Sequence, residues 1–539
     1  MADHYDDYTR EELLRELRLR DRRPRFGLVW ERKEIDHEKA INDDFVALAF
    51  DPAQSCGCAP YRNLIIEGDN FDALRYLRMT HPGKIKCIYI DPPYNTGNRD
   101  FIYNDRFVDK EDSYRHSKWL EFMYRRLQLA RDLLAEDGVI FVSIDDNEFA
   151  GLKLLCDSVF SADCFVGTFV WRRRTSSAMK SDLFSSDHEY VLAYALPAFA
   201  FLGVGKSYTG YSNPDSDPRG DWTSGDLTVG MTSEQRPNQF FDLVNPATSK
   251  VYSPNPSRVW SFIPETMNKL IAENRVIFPE NTRLQPKLKR FKNELKRDTN
   301  PVSTWLADVG LNAEGSREIQ EILGGQVFQY PKPRSLIEHL IKVSVPNDAM
   351  ILDFFAGSGT TAHAVQKLNA EDGGNRRFIL VSSTEASDEQ PDKNLCRDVC
   401  AERVRRVIDG YRNKKGESVP GLGGGFAYLR SRRHATETLF NNIQHEAIWT
   451  ALCLIHSQSL SPYQADAPMQ QLVLDNSTVL YLPKTAPDVL ASLNNLPDTT
   501  LLVYSWQPGL LRQHLEAANI SFLPIPQFLV DRFGNGGAR

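Results

Sequence analysis

The stretch Ile85-Lys86-Cys87-Ile88-Tyr89-Ile90-Asp91-Pro92-Pro93-Tyr94-Asn95-Thr96-Gly97 sets an apolar run directly against an acid, two prolines and an aromatic ring. The run reads as a short buried strand that stops at the carboxyl edge of a sheet. The prolines fix φ and remove two backbone donors, so the carbonyls of Asp91 and Pro92 stay free to accept hydrogen bonds. A carboxylate, a free carbonyl and a stackable ring suit the capture of an exocyclic amino group on a flat heterocycle. Alone, the turn is equally compatible with an ordinary strand end, and the rest of the chain decides.

A second strand-to-loop transition lies much further along, Ala349-Met350-Ile351-Leu352-Asp353-Phe354-Phe355-Ala356-Gly357-Ser358-Gly359-Thr360-Thr361. Gly357 and Gly359 permit positive φ and close backbone approach, and Thr360 or Thr361 can cap the helix that follows. Such a turn at the end of a parallel strand is where doubly wound sheets bind ligands. It lacks both the three-glycine dinucleotide fingerprint and the Gly-Lys-Thr of a triphosphate loop, so a nucleotide-phosphate site is not expected.

Together the two motifs resemble the catalytic and S-adenosylmethionine motifs of amino-group DNA methyltransferases, in the circular order that puts the catalytic motif first (the β group). Further segments extend the resemblance. Leu64-Ile65-Ile66-Glu67-Gly68-Asp69-Asn70 precedes the catalytic turn, and Trp119-Leu120-Glu121-Phe122-Met123, Arg126-Leu127 and Asp137–Glu148 follow it. Tyr330-Pro331-Lys332-Pro333 precedes the glycine loop, and Asp372–Val381 follows it. The set looks like the modification subunit of type III restriction–modification systems, with matching segments from about Phe26 to about Ile408.

The resemblance implies a doubly wound, Rossmann-like α/β sheet and an S-adenosyl-L-methionine-dependent, adenine-specific DNA methyltransferase. Asp91, Pro92, Pro93 and Tyr94 would form the catalytic turn. An adenine amino nitrogen is a poor nucleophile, because its lone pair is delocalised into the ring. If the Asp91 side chain and the Pro92 carbonyl accept its two hydrogens, the lone pair turns toward the sulfonium methyl for a direct in-line displacement. Tyr94 would stack on the base, which must be flipped out of the duplex. Asp91 favours adenine, since relatives that act on the cytosine amino group usually carry serine there; N4 of cytosine is the alternative acceptor.

For the cofactor, the resemblance places Asp353, Phe354, Phe355, Ala356, Gly357, Ser358 and Gly359 around the methionine and ribose parts, with Asp91 alongside. Thr360 and Thr361 would offer amides and hydroxyls to the carboxylate. Asp69 and Asn70 would lie near the cofactor adenine, and Lys332 and Ser335 near the methionine carboxylate. After Phe378-Ile379-Leu380-Val381, related enzymes usually carry an acid that holds the ribose. Here Ser382 stands in that place and the nearest acid is Glu385, which leaves the ribose contact unassigned.

Composition is globular, at 539 residues enough for two or three domains. The acidic, polar start argues against a signal peptide, and no apolar run approaches a membrane span. The eight cysteines fit reduced cytosolic thiols, and no histidine–cysteine set completes a metal pattern. The expected location is therefore cytoplasmic, in a bacterial nucleoid through DNA binding. The net charge of −7 speaks against a nucleic-acid partner, but distribution matters more than the total. Arg172, Arg173 and Arg174 form one basic cluster. Arg283, Lys287, Lys289, Arg290, Lys292, Lys296 and Arg297 form another, against the acid Glu294. Both fall where the resembled family inserts its target-recognition region, so Arg172, Arg173, Arg174, Lys287, Lys289, Arg290 and Lys292 are expected to meet double-stranded DNA, chiefly its phosphates.

The expected organisation is an N-terminal helical extension (1–59, with a capped helix at Thr9–Leu17), a first core part (60–171), a target-recognition insert (172–328), a second core part (329–411) and a small C-terminal α/β domain (412–539) for assembly or partner docking. The resemblance further implies a homodimer and a separate restriction helicase–nuclease partner. A chain whose main task is to guide that partner is the alternative to methylation as its main role.

Overall fold

Leu64–Glu67, Ile85–Ile90, Met350–Asp353 and Arg377–Ser382 are short, almost wholly apolar runs, the pattern of strands covered on both faces. In the computed structural model they form the middle of one ten-stranded sheet. The structure describes residues 9–10, 44–97, 102–103, 106–107, 115–175, 185–387, 390–435, 439, 443–485, 500–514 and 519–534. The helix expected at Thr9–Leu17 lies almost wholly outside them.

The sheet strands are β1 (Phe45–Cys56), β2 (Leu64–Glu67), β3 (Ile85–Ile90), β4 (Leu134–Ile144), β5 (Phe165–Arg172), β6 (His188–Ala195), β7 (Trp305–Leu306), β8 (Met350–Asp353), β9 (Arg377–Ser382) and β10 (Phe426–His434). Their spatial order is β1-β10-β2-β9-β8-β3-β4-β6-β5-β7. From β10 across to β4 every neighbouring pair is parallel. β1 is antiparallel to β10, and β6 is antiparallel to both β4 and β5. The sheet is thus an α/β sheet of the expected kind, mixed at its two ends.

The decisive pairing is β3 with β8, whose registers set Cys87 opposite Ile351 and Ile88 opposite Leu352. From β8 the chain runs outward through β9 on one side, while β3 leads to β4 on the other. Sheets of this kind bind ligands at the carboxyl ends of the strands where the order reverses. Asp91 follows β3 directly, and Phe354–Gly359 follows β8.

Two features differ from the expected organisation. The extension 1–59 contains β1, a strand with Phe45, Val46, Ala47 and Leu48 buried. The region after 412 contains β10, which enters the central sheet between β1 and β2. β10 reads as a short apolar run followed by Arg430-Ser431-Arg432-Arg433, and only its first half, Phe426 to Leu429, is fully buried. That half-apolar pattern hides a sheet strand. A four-stranded sheet follows (Gln470–Val473, Ser477–Leu482, Thr500–Ser505, Ile520–Pro524), as expected for a small α/β region.

The chain divides into two units. One comprises Met1–Leu202 with Ser303–Arg539, and the other is Gly203–Val302, narrower than the insert expected at 172–328. The second unit has its own apolar cluster, with Leu227, Leu243, Tyr252, Trp260, Met267 and Val276 buried. Its largest sheet has three strands, with Lys287–Phe291 in the middle. Among the described residues no helix is long and apolar enough to cross a membrane.

Candidate active site

Asp91 leaves β3 with its carboxyl gripped by a lysine. Lys332 Nζ donates to both carboxylate oxygens, at 2.7 and 2.8 Å. The lysine is 8% exposed, and its ammonium lies 4.7 Å from the centre of the Tyr94 ring. Burial pushes the Asp91 carboxyl up, Lys332 opposes this, and the nearby Glu189 charge adds to the rise. For Lys332 burial alone would lower the ammonium, but Asp91 and Glu189 outweigh it and hold it above its usual value. The pair is therefore a charge-assisted contact in which each group keeps the other ionised.

The turn after Asp91 is fixed from behind. Trp119 Nε1 donates to the Pro93 carbonyl at 2.7 Å. Asn95 adopts φ 56° and its amide donates to Glu148 Oε1 at 2.5 Å. His116 Nδ1 meets the same oxygen at 2.6 Å. Tyr94 is held at its far end, where its hydroxyl donates to Glu189 Oε2 at 3.1 Å.

The glycine loop is fixed from below. Asp353 accepts from Thr361 Oγ1 at 2.5 Å and from the Phe355 amide at 3.0 Å. Burial pushes this carboxyl up to about 7. Gly357 (φ 48°) and Gly359 (φ 76°) both occupy the left-handed region, as the motif requires. A Cβ on Gly357 would stand 2.9 Å from Phe328 Cζ, and one on Gly359 would stand 3.1 Å from the Cys400 carbonyl oxygen. Gly359 thus serves close packing against the chain behind it, while Phe328 covers Gly357.

The hydroxyls of this loop are largely engaged inward. Fully buried Arg403 donates to Thr360 Oγ1 at 2.7 Å and Ser358 Oγ at 3.1 Å, and it pairs with Glu318 at 2.9 Å. What the loop leaves for an anion is backbone. The helix Thr360–Asp372 starts at Gly359, and no side chain caps its first amides. Phe354 is buried beneath the loop, Phe355 packs 6.0 Å from the Phe122 ring, and the Ala356 amide donates to the Val381 carbonyl.

Asp69 caps the helix Asn70–Thr80, accepting from the amides of Phe71 and Asp72. Asn70 donates to the Phe354 carbonyl at 2.9 Å, which ties this helix start to the glycine loop. Arg126 pairs with Asp69 at 3.2 Å, donates to Asn70, and lies 3.6 Å over the Phe122 ring. Ser335 Oγ accepts from the Gly310 amide at 2.8 Å. At the end of β9, Ser382 Oγ is buried without a hydrogen-bond partner. Glu67, opposite Ser382 in the sheet, is taken by Asn394 and Tyr428, and Glu385 pairs with Lys393.

The structure thus brings Asp91, Tyr94, Lys332, Asp353, the glycine loop, Asp69 and Asn70 to one edge of the sheet. The basic residues are spread differently. Arg172 is exposed, Arg173 pairs with Glu189 at 2.8 Å, and Arg174 lies 3.7 Å from Asp187. In the Lys287–Phe291 strand, Lys287 and Arg290 are exposed, whereas Lys289 is 4% exposed and pairs with Asp215 and with Asp217 (3.2 Å). Lys292 is exposed, 4.5 Å from the Tyr208 ring centre. Glu189, Arg403 and Phe328 carried no role in the sequence reading. A lone acid in the otherwise apolar His188–Ala195 strand is a signal for Glu189; nothing local marks the other two.

Residues 85–387 match the model of a family described as DNA methylase. The Mod subunit of the type III enzyme StyLTI from Salmonella typhimurium is 35% identical over 414 residues, covering 70% of this chain and 61% of that protein. The EcoPI Mod subunit from Escherichia phage P1 is 30% identical over 481 residues, covering 78% of this chain and 73% of its own length. The type II methyltransferase M.KpnI from Klebsiella pneumoniae is 35% identical over 341 residues, covering 59% and 79%. The chain therefore spans less than two thirds of the Salmonella protein and more of the other two.

Proposed function

We propose, from the premise that this chain belongs to the DNA methylase family, that it transfers a methyl group to the N6 amino group of adenine at a short site in duplex DNA. The observation that carries the reading is the β3–β8 pairing, which sets the Asp91-Pro92-Pro93-Tyr94 turn beside the Asp353–Thr361 loop. S-adenosyl-L-methionine, when bound, supplies an electrophilic methyl on a sulfonium.

The residues fit that cofactor. The uncapped helix start at Gly359 suits its carboxylate, and Asp69 and Asn70 suit its adenine end. The orphaned, buried Ser382 Oγ is a polar atom suited to a ribose hydroxyl where an acid is missing. Lys332, expected at the methionine carboxylate, instead sits on Asp91, so its first task is to keep that carboxyl charged. Asp91 and the Pro92 carbonyl accept the two amino hydrogens, and Tyr94 offers its ring to the extruded base. Catalysis is positioning and electrostatics rather than proton shuttling.

The names of the relatives, Mod subunits of type III restriction–modification enzymes, support a modification-subunit role beside a restriction subunit. A homodimer and a helicase–nuclease partner belong to the proposal alone. Arg172, Lys287, Arg290 and Lys292, all exposed, are the basic residues suited to phosphate contact, while Arg174 is half-buried.

Modification-aware sequencing of DNA from cells with and without the gene tests the reading. N6-methyladenine should mark one short motif only when the gene is present and vanish with Asp91→Ala. N4-methylcytosine at that motif, or no difference between the cells, would overturn it.

A further inference from the structure

Glu189 sits near the start of β6, 4% exposed, followed by a strand of apolar neighbours. A carboxylate there must be compensated, because burying an unpaired charge costs several kcal/mol. Its compensation comes from Arg173 and Lys332, with one hydrogen bond from the catalytic turn. Oε2 accepts the Tyr94 hydroxyl at 3.1 Å, and Oε1 accepts Arg173 Nη1 at 2.8 Å. Lys332 Nζ, already on Asp91, is 3.7 Å from Oε2. Arg173 is itself fixed, since Nε and Nη2 donate to the Ser186 carbonyl at 3.3 and 3.1 Å. Tyr94 is therefore held at both ends, by the rigid Pro92-Pro93 turn at its backbone and by Glu189 at its hydroxyl.

We propose that Glu189 is a positioning residue for methyl transfer. It fixes the face of the Tyr94 ring through the hydroxyl, is itself oriented by Arg173, and balances the Lys332 ammonium beside Asp91. The proposal rests on the methyltransferase reading and reassigns Arg173 from DNA contact to the support of this carboxylate. A ring free to pivot about its Cα–Cβ bond would present the flipped base to Asp91 in several poses, and misplacement of about 1 Å can cost on the order of 100-fold in rate.

The test uses the purified full chain as wild type, Glu189→Gln, Tyr94→Phe and the double variant. Single-turnover methyl transfer is measured at saturating cofactor and duplex DNA, with cofactor affinity measured by calorimetry. Each single change should slow transfer by about 10- to 100-fold while leaving cofactor affinity unchanged. The double variant should be no slower than the slower single variant, because both changes act on one contact: Tyr94→Phe removes its donor and Glu189→Gln replaces its charged acceptor with a neutral amide.

Glu189→Gln should also move the acid limb of the rate to lower pH. Asp91 then loses a like-charge neighbour while Lys332 and Arg173 remain, and Tyr89 and Asp353, which also face it, are unchanged. A purely structural role would not move that limb. A wild-type rate in Glu189→Gln, or losses that multiply in the double variant, would overturn the proposal. Should Glu189→Gln not fold, a wild-type rate in Tyr94→Phe alone would overturn it, and a slowed rate with intact cofactor affinity would support it. A wild-type chain that transfers no methyl group to any duplex fails earlier, and overturns the methyltransferase reading itself.

Discussion

Asp353 shows how burial at the loop translates into pH dependence. Burial, opposed by Thr361 and the Phe355 amide and reinforced by Asp91, lifts its carboxyl from 3.8 to about 7. A folded-state value above the unfolded one means that folding takes up a proton between these two values. This group's contribution to stability therefore falls as pH rises from about 4 to about 7 and levels off above, by at most about 4 kcal/mol at roughly 1.4 kcal/mol per unit. Urea unfolding of the cofactor-free protein across that range should show the decline, and Asp353→Asn should flatten it. An unchanged slope in the variant would assign the decline to other groups. Gly359 makes a sharper steric prediction. Its φ of 76° and the 3.1 Å approach of the Cys400 carbonyl oxygen leave no room for a side chain. Gly359→Val should cost more than about 1 kcal/mol of stability, read as a fall in Tm, before any effect on cofactor is considered.

The strands that build the site were legible because they are apolar runs ended by informative residues. Ile85–Ile90 has the expected limits, and Met350–Asp353 ends on the acid that opens the loop. Partnerships across the chain were not legible. Lys332 reads as a loop lysine beside two prolines, and only the fold brings it to Asp91. The basic segment after Pro286 illustrates the same limit within one strand. Alternation sets Lys287 and Lys289 on one side of the strand and Arg290 on the other, yet Lys287 and Arg290 are both exposed while Lys289 is buried against Asp215 and Asp217. Charge reversal at Lys287 and Arg290 should weaken binding to all DNA sequences alike and lower the salt slope by about 2, near 0.9 per lost phosphate contact. Lys289→Glu should instead destabilise Gly203–Val302 by setting a third carboxylate against buried Asp217 and its neighbour Asp215, visible as a lower Tm without DNA. Binding titrations across salt concentrations separate the two, and an unchanged slope in the first variant would make Lys287 and Arg290 merely solvated side chains.

The molecule closes its central sheet with segments far apart in the chain, and this constrains what the region after residue 412 is for. β10 pairs with β1 on one side and with β2 on the other. Phe426, Ala427, Tyr428 and Leu429 are fully buried there, and burying one large apolar side chain is worth about 1.5–3 kcal/mol. The same apolar cluster runs on through Trp449, Leu452, Tyr481, Tyr504 and Leu529 to Leu64, Leu74 and Leu77. Docking a partner can still occupy the outer faces of this region, but its inner face completes the catalytic sheet. A chain truncated before Tyr411 would expose the edge of β2, which leads to Asp69 and Asn70, the pair expected to lie near the cofactor adenine. Such a chain should lose soluble yield and cooperative unfolding, whereas a region that served docking alone would be removable with folding and methyl transfer intact. Circular dichroism melts of the truncated and full chains separate these outcomes, and a cooperative melt of the truncated chain near the full-length Tm would show that the sheet does not need its tenth strand.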